Sequence, residues 1–405
     1  MLAEARRKRE AARGRGRPSI VPLSLNDTDR FNPEDAPYYR CDPFIEPAYL
    51  DKLHNHYRIV PHSLDDVLAL TPDQVGDCDL ARLNLLCATG LRRADGLDVD
   101  EYVGRLDRWA AYIGMMTDHY KHVFDANPAR YEHSEPLWRM LVLTRVLERA
   151  FGVRYNPDRI DIPDWTDSQD MLIHGLLGPQ RTGTCPSIPV LLVVLGQRLG
   201  YPLKLVRTQA HLFSRWDAAD HPNANFRGRF NIEFHGEGFN AHSDAFYYKW
   251  PVALKPSQIA RYENGDPHAP FLNSFSPAQA LAEAVGCRAV VLNATGHHTE
   301  AHNTFQMAHR FDPHYGGYKE QAECALRARA ELQMKALGFE PRVFRGMLDQ
   351  WHHRLQGKLY EAVTYRDALR ARSCHPTNRT TGPLAESNRE PVSLPSQCGD
   401  EAGIG

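Results

Sequence analysis

Four stretches in the first part of the chain repeat apolar side chains at helical spacing. "SLDDVLAL" opens with Ser63 as a cap and acidic residues in the first turn. "CDLARLNLLCATGL" aligns Leu80, Leu83, Leu86 and Cys87 on one stripe. "DVDEYVGRLDRWAAYI" does the same with Val99, Tyr102, Leu106, Trp109, Ala110 and Ile113, and "SEPLWRMLVLTRVLERAFG" runs from a Ser134 cap to Gly152. Together they predict a helical region over 63–152. Residues 153–182 are polar and read as loop. A further helix follows in "GTCPSIPVLLVVLGQRLGYPL", with Ile188, Leu191, Leu192, Leu195 and Leu199 at helical spacing and Gly200 and Pro202 as its stop.

The period then changes from helical to alternating. "LKLVRTQ", "HLFSRW" and "RFNIEFHG" read as short antiparallel strands separated by turn residues. One helix feeding such strands makes 153–252 an α+β core. Helical signals return over 253–340, with a terminal helix over 341–371. Within them "AEAVGCRAVVLNATGHHTEAHNTFQMAHRFDP" resembles one tetratricopeptide repeat, in which Ala301, Phe305 and Ala308 pack the two helices and Pro313 ends the unit. A lone repeat cannot bury its own apolar face, so packing on the core is the favoured role. Peptide or protein binding through these C-terminal helices is the alternative. The basic Gly/Arg-rich arm 1–18 and the tail 372–405 are expected to be disordered, and 19–62 to be an irregular lead-in.

Composition narrows the function classes. The chain has 405 residues and a formal net charge of -2, so it offers no electrostatic case for nucleic acid or an anionic membrane. No apolar run reaches membrane-spanning length and the first residues lack the apolar core of a secretory signal, which makes a cytoplasmic location the expectation. The eight cysteines include no C-x-x-C, so no zinc ribbon or redox motif is indicated. Histidine pairs occur at His54/His56, His297/His298 and His352/His353, but none has H-E-x-x-H spacing. Neither a metal nor a cofactor is expected.

One cysteine stands out by position. Cys185 falls at the expected N-cap of the apolar helix, ahead of Pro186, where Ser, Thr, Asp or Asn would stabilise the end better. The unpaired N–H groups there favour a thiolate, so the position is poor for stability and good for a nucleophile. A thiolate also needs a base and a group to orient that base. The pleat of "HLFSRW" puts His211, Phe213 and Arg215 on one face, and that of "FNIEF" puts Asn231 and Glu233 on one face. If the strands pair, Asn231 or Glu233 can lie beside His211, giving a Cys-His-Asn/Glu site of papain type. Asn231 is slightly favoured. Gln180 and Gln209 are candidates for the oxyanion hole beside the Cys185 N–H, and Arg215 for a substrate carboxylate or a structural ion pair. Trp216 and Trp250 read as core aromatics first and pocket walls second.

The stretch "RTGTCPSIPVLLVVLGQRLGYPLKLVRTQAHLFSRW", followed by "FNIE" and "YYKWP", resembles the transglutaminase-like superfamily, and its bacterial SirB1-related branch most closely. The resemblance covers about residues 75–252. It implies a papain-like core with Cys185 as nucleophile and His211 as its histidine. The third position departs from the family's usual Asp-Pro, since this chain offers Asn231 and Glu233 there. It also implies acyl chemistry on an amide bond of a protein or peptide, by hydrolysis or by transfer to an amine. The competing reading is a catalytically idle scaffold of the same fold that acts by binding a protein partner, because some members of the branch lack the cysteine.

Overall fold

The computed structural model describes residues 45–160, 163–234 and 238–337. It is a mixed α+β structure. The chain divides into a compact unit, 1–322, and a second, 323–405. The expectations for 1–18, for 341–371 and for 372–405 lie outside the described residues. The described part of the lead-in holds a short helix, α1 (Pro47–Asp51). The helical region then follows as α2 (Leu64–Ala69), α3 (Leu80–Ala88), α4 (Val99–Ala126) and α5 (Glu135–Arg149). Their starts are set by side-chain caps at Ser63, Asp79, Asp98 and Ser134, each accepting a first-turn backbone N–H. Gly152 closes the region at a left-handed φ of 69°.

The stretch expected to be loop carries short elements instead. β1 (Arg154–Tyr155) pairs in parallel with β2 (Thr182–Gly183), and between them lie the single-turn helices α6 (Ser168–Met171) and α7 (His174–Leu177). Segments this short carry too few residues to show a hydrophobic period, which is why the sequence pattern misses them. α8 (Ile188–Arg198) follows. Ile188 through Gly196 are all buried, so α8 is apolar all round and forms the centre of the unit rather than one face of it. Its close approach to the sheet depends on Gly196, where a Cβ would lie 2.4 Å from Leu203 Cδ1.

The sheet is antiparallel in the order β3 (Leu203–Thr208), β4 (His211–Ala218), β5 (Gly228–Phe234), β6 (Phe239–Asn240). A two-residue turn, Gln209–Ala210, joins β3 to β4 and pairs Thr208 with His211. Alternation sorts the strands as expected. Leu203, Leu205, Leu212, Trp216, Ile232 and Phe234 join the main core with α8, while Val206 and Phe213 face a second apolar cluster built by Tyr247, Leu254, Phe271 and Leu272. Beyond β6 come α9 (Asp244–Tyr247), α10 (Pro256–Glu263), and a helical hairpin of α11 (Pro277–Ala294) and α12 (His298–Phe311), then α13 (Gly317–Ala336). Ala301, Phe305 and Ala308 are buried as their spacing suggests.

The hairpin is fastened to the core. The Arg288 guanidinium donates to the carbonyls of Cys87 and Thr89, and Arg310 donates to that of Leu70. Arg207 of β3 meets Glu283 at 2.8 Å and Asp312 at 3.2 Å. These contacts support the packing role for the α11–α12 pair. Among the described residues no helix is long and apolar enough to cross a membrane.

Candidate active site

Cys185 lies in the turn that leads into α8, not at the helix cap. The Thr184 carbonyl accepts the N–H groups of Ser187 and Ile188, so helical bonding begins one residue before the cysteine while the helix proper starts at Ile188. The turn is held from both sides. The Ser187 hydroxyl accepts the Thr184 N–H at 3.0 Å, and both Thr184 Oγ1 and Ser187 Oγ donate to the Asp170 carbonyl, at 2.8 and 3.1 Å. Thr184 and Ser187 are fully buried, whereas Cys185 is half-buried. The partly exposed Cys185 thiol thus sits on a rigid, hydrogen-bonded base.

His211 opens β4, and its Nε2 lies 2.7 Å from Glu233 Oε1. The Cys185 side chain is close enough to the ring to act on its proton affinity. With Nε2 committed to the carboxylate, Nδ1 is the ring nitrogen that remains for another partner. Burial opposes protonation of this imidazole, but the Glu233 charge, the hydrogen bond to Glu233 and the nearby Cys185 side chain outweigh it. The balance raises His211 to about 10. The Trp250 ring stands edge-on to the imidazole at 4.7 Å, which makes it a wall of the site as well as a packing group.

Asn231, the slightly favoured third member, is not beside His211. Its Oδ1 accepts from Arg215 Nε at 2.7 Å, and its Nδ2 donates to the His242 carbonyl and Asp244 Oδ1, both at 2.8 Å. The register explains the choice. Arg215 pairs with Asn231 and Ser214 with Ile232, so one further step sets Glu233 opposite Phe213. Glu233 is then the diagonal neighbour of His211, about 7 Å along the strand and within reach of a long side chain. Asn231 is two residues further away and too short to span the gap. Glu233 takes the position.

The remaining candidates fall outside the pair. Arg215 is fully buried and committed to Asn231, to the Leu272 carbonyl at 2.8 Å and to Asp244 at 2.7 Å, so it is a structural ion pair and not a free carboxylate binder. Gln180 is exposed and Gln209 sits half-buried in the β3–β4 turn; among the described residues neither hydrogen-bonds to Cys185 or His211. Trp216 is buried in the core, as expected. No group of three or more His, Cys, Asp or Glu among the described residues could hold a metal ion.

Sequence reasoning missed Asp170, Thr184, Ser187 and Tyr247. The first three act through a backbone carbonyl or through hydroxyls that look like ordinary turn residues. Tyr247 lies in a four-residue helix with no period to read. Comparison with known proteins found no matching family model, no matching curated protein and no matching solved structure.

Proposed function

We propose that the protein performs cysteine-dependent acyl chemistry on an amide bond, as a peptidase, amidase or transglutaminase-type enzyme of papain-like architecture. The observation that carries this reading is a single imidazole, His211, held by a carboxylate at 2.7 Å and electrostatically coupled to the Cys185 thiol. In the forward step the Cys185 sulfur attacks the carbonyl carbon and the C–N bond breaks as His211 delivers its proton to the leaving amine. Water or a second amine then attacks the thioester, His211 takes the incoming proton, and the thiol is regenerated. Glu233 remains ionised throughout and holds the imidazole. The Cys185 backbone N–H, which bonds to no protein acceptor among the described residues, offers one donor to the oxyanion.

The test is mass-spectrometric mapping after brief, limiting iodoacetamide. Cys185 should label well ahead of Cys87 and Cys287, whose thiols burial raises to about 12 and well above the ordinary range respectively. Replacing His211 with Gln should lower the Cys185 rate to that of an ordinary half-exposed thiol. If Cys185 labels no faster than an ordinary half-exposed thiol, or keeps its rate without His211, the fold acts as a binding scaffold and the enzymatic reading fails.

A further inference from the structure

The carboxylate that orients His211 is itself held. Glu233 is 6% exposed, and its Oε1 receives two donors: His211 Nε2 at 2.7 Å and the Tyr247 hydroxyl at 2.8 Å. A glutamate has three rotatable bonds between its backbone and its oxygens, so each hydrogen bond to those oxygens narrows the ways it can swing.

We propose that Tyr247 is a positioning residue that acts on His211 through Glu233, fixing the carboxylate in the rotamer that keeps Oε1 on the imidazole. The proposal rests on the Cys185–His211–Glu233 reading above. Burial and two further contacts make Tyr247 a rigid anchor. Its side chain is fully buried; its ring stacks on Phe213 at 4.0 Å with planes 6° apart; and its backbone carbonyl accepts from Thr208 Oγ1 at 3.2 Å. Thr208 is the cross-strand partner of His211. The contacts therefore close a ring, from His211 to Glu233, to Tyr247, to Thr208 and back across the β3–β4 ladder.

Burial and the Glu233 charge push the Tyr247 hydroxyl well above its ordinary range, so it stays a donor wherever the site operates. The charged and titratable groups near this ring include Cys185 and Glu233, the Arg215–Asp244 pair beside Tyr247, and His242, whose ring stands edge-on to Tyr247 at 6.3 Å. Arg215 and Asp244 face each other at 2.7 Å, which leaves Glu233 as the dominant charge on the imidazole.

The experiment is the pH profile of Cys185 alkylation in the full chain, from about pH 5 to 10, for wild type, Tyr247→Phe and Glu233→Gln, with a melting curve for each. Phenylalanine keeps the stack on Phe213 and removes only the hydroxyl. Expected for Tyr247→Phe is an alkylation rate near neutrality lower by about ten-fold, the size of one lost hydrogen bond to a buried charge. The step at which the rate profile reports His211 deprotonation should move to lower pH, and Glu233→Gln should exceed both effects. A wild-type profile overlaid by Tyr247→Phe, with Glu233→Gln shifted, overturns the role of Tyr247 and leaves the thiol site standing. A profile in wild type that already matches His211→Gln overturns the site reading itself. Should Tyr247→Phe melt far below wild type, Thr208→Val serves in its place. It loosens the anchor while retaining the hydroxyl, and it should give a two- to three-fold loss in the same direction; no change overturns the proposal.

Discussion

At the scale of single residues, two neighbours on one strand face divide the labour. Glu233 touches the imidazole, and Asn231 ties Arg215 to Asp244. Changing each separately should give opposite signatures. Asn231→Ala leaves a buried guanidinium short of one acceptor and should cost about 1–3 kcal/mol of stability while Cys185 keeps its alkylation rate. Glu233→Gln should retain most of the fold and lose the rate. Equal effects on rate from both substitutions would refute the division. Cys185 itself also behaves differently from a cap. Because helical bonding already begins at Thr184, one residue before it, Cys185→Ser gains no capping bond, and its melting temperature should stay within about 2 °C of wild type while thiol chemistry disappears.

At the scale of elements, the site is a junction between a turn and a strand end, and each is fixed by a tight contact. A Cβ on Gly183 would lie 2.6 Å from Ser187 Oγ and 2.7 Å from Leu176 Cδ2. Gly183→Ala should therefore cost about 1–3 kcal/mol in overpacking and push the Cys185 turn off its Asp170 anchor. Melting curves and the alkylation rate should fall together; a neutral outcome on both would show that the turn is not held there. The far end of α8 is fixed by charge. Arg198 is fully buried and reaches Asp79 and Asp107, each at 2.7 Å. Asp79 also caps α3, so this one guanidinium joins α8 to α3 and α4. Arg198→Met strands two carboxylates and should cost about 3–5 kcal/mol by denaturant titration. A loss under about 1 kcal/mol would mean that the carboxylates relax to water.

At the scale of the whole molecule, two buried histidines give the stability curve opposite slopes. His211 is raised to about 10, so the native state holds its proton over a range where the unfolded chain has released it. Its contribution is complete below about pH 6.5 and is lost as pH rises through about 10. His174 moves the other way, since burial lowers it to about 4. Between pH 6.5 and 4 the unfolded chain binds a proton that the native state refuses, so this contribution is present above about 6.5 and lost as pH falls. Melting temperature should therefore peak near pH 6–7. His211→Gln should flatten the alkaline limb and His174→Gln should lessen the acid one. An alkaline limb of unchanged slope in His211→Gln would count against the buried ion pair.

The sequence by itself determined whatever depends on periodicity and local chemistry. Helical spacing placed α2 to α5, α8 and the α11–α12 pair, and capping residues such as Ser63 and Ser134 marked their starts. Alternation of period two put His211 and Arg215 on one face of their strand and Asn231 and Glu233 on one face of theirs. Only the tertiary structure decided which of those side chains meet. A strand pattern fixes the face but not the register, and the β4–β5 register is set by the connection between Ala218 and Gly228, which carries no period. That register puts Glu233 within reach of His211 and leaves Asn231 to the buried arginine. Tyr247 and the Asp170 carbonyl were likewise out of view. Each reaches the site across a long gap in sequence, through one hydroxyl or one backbone oxygen, and such contacts leave no trace in the order of hydrophobic and polar positions.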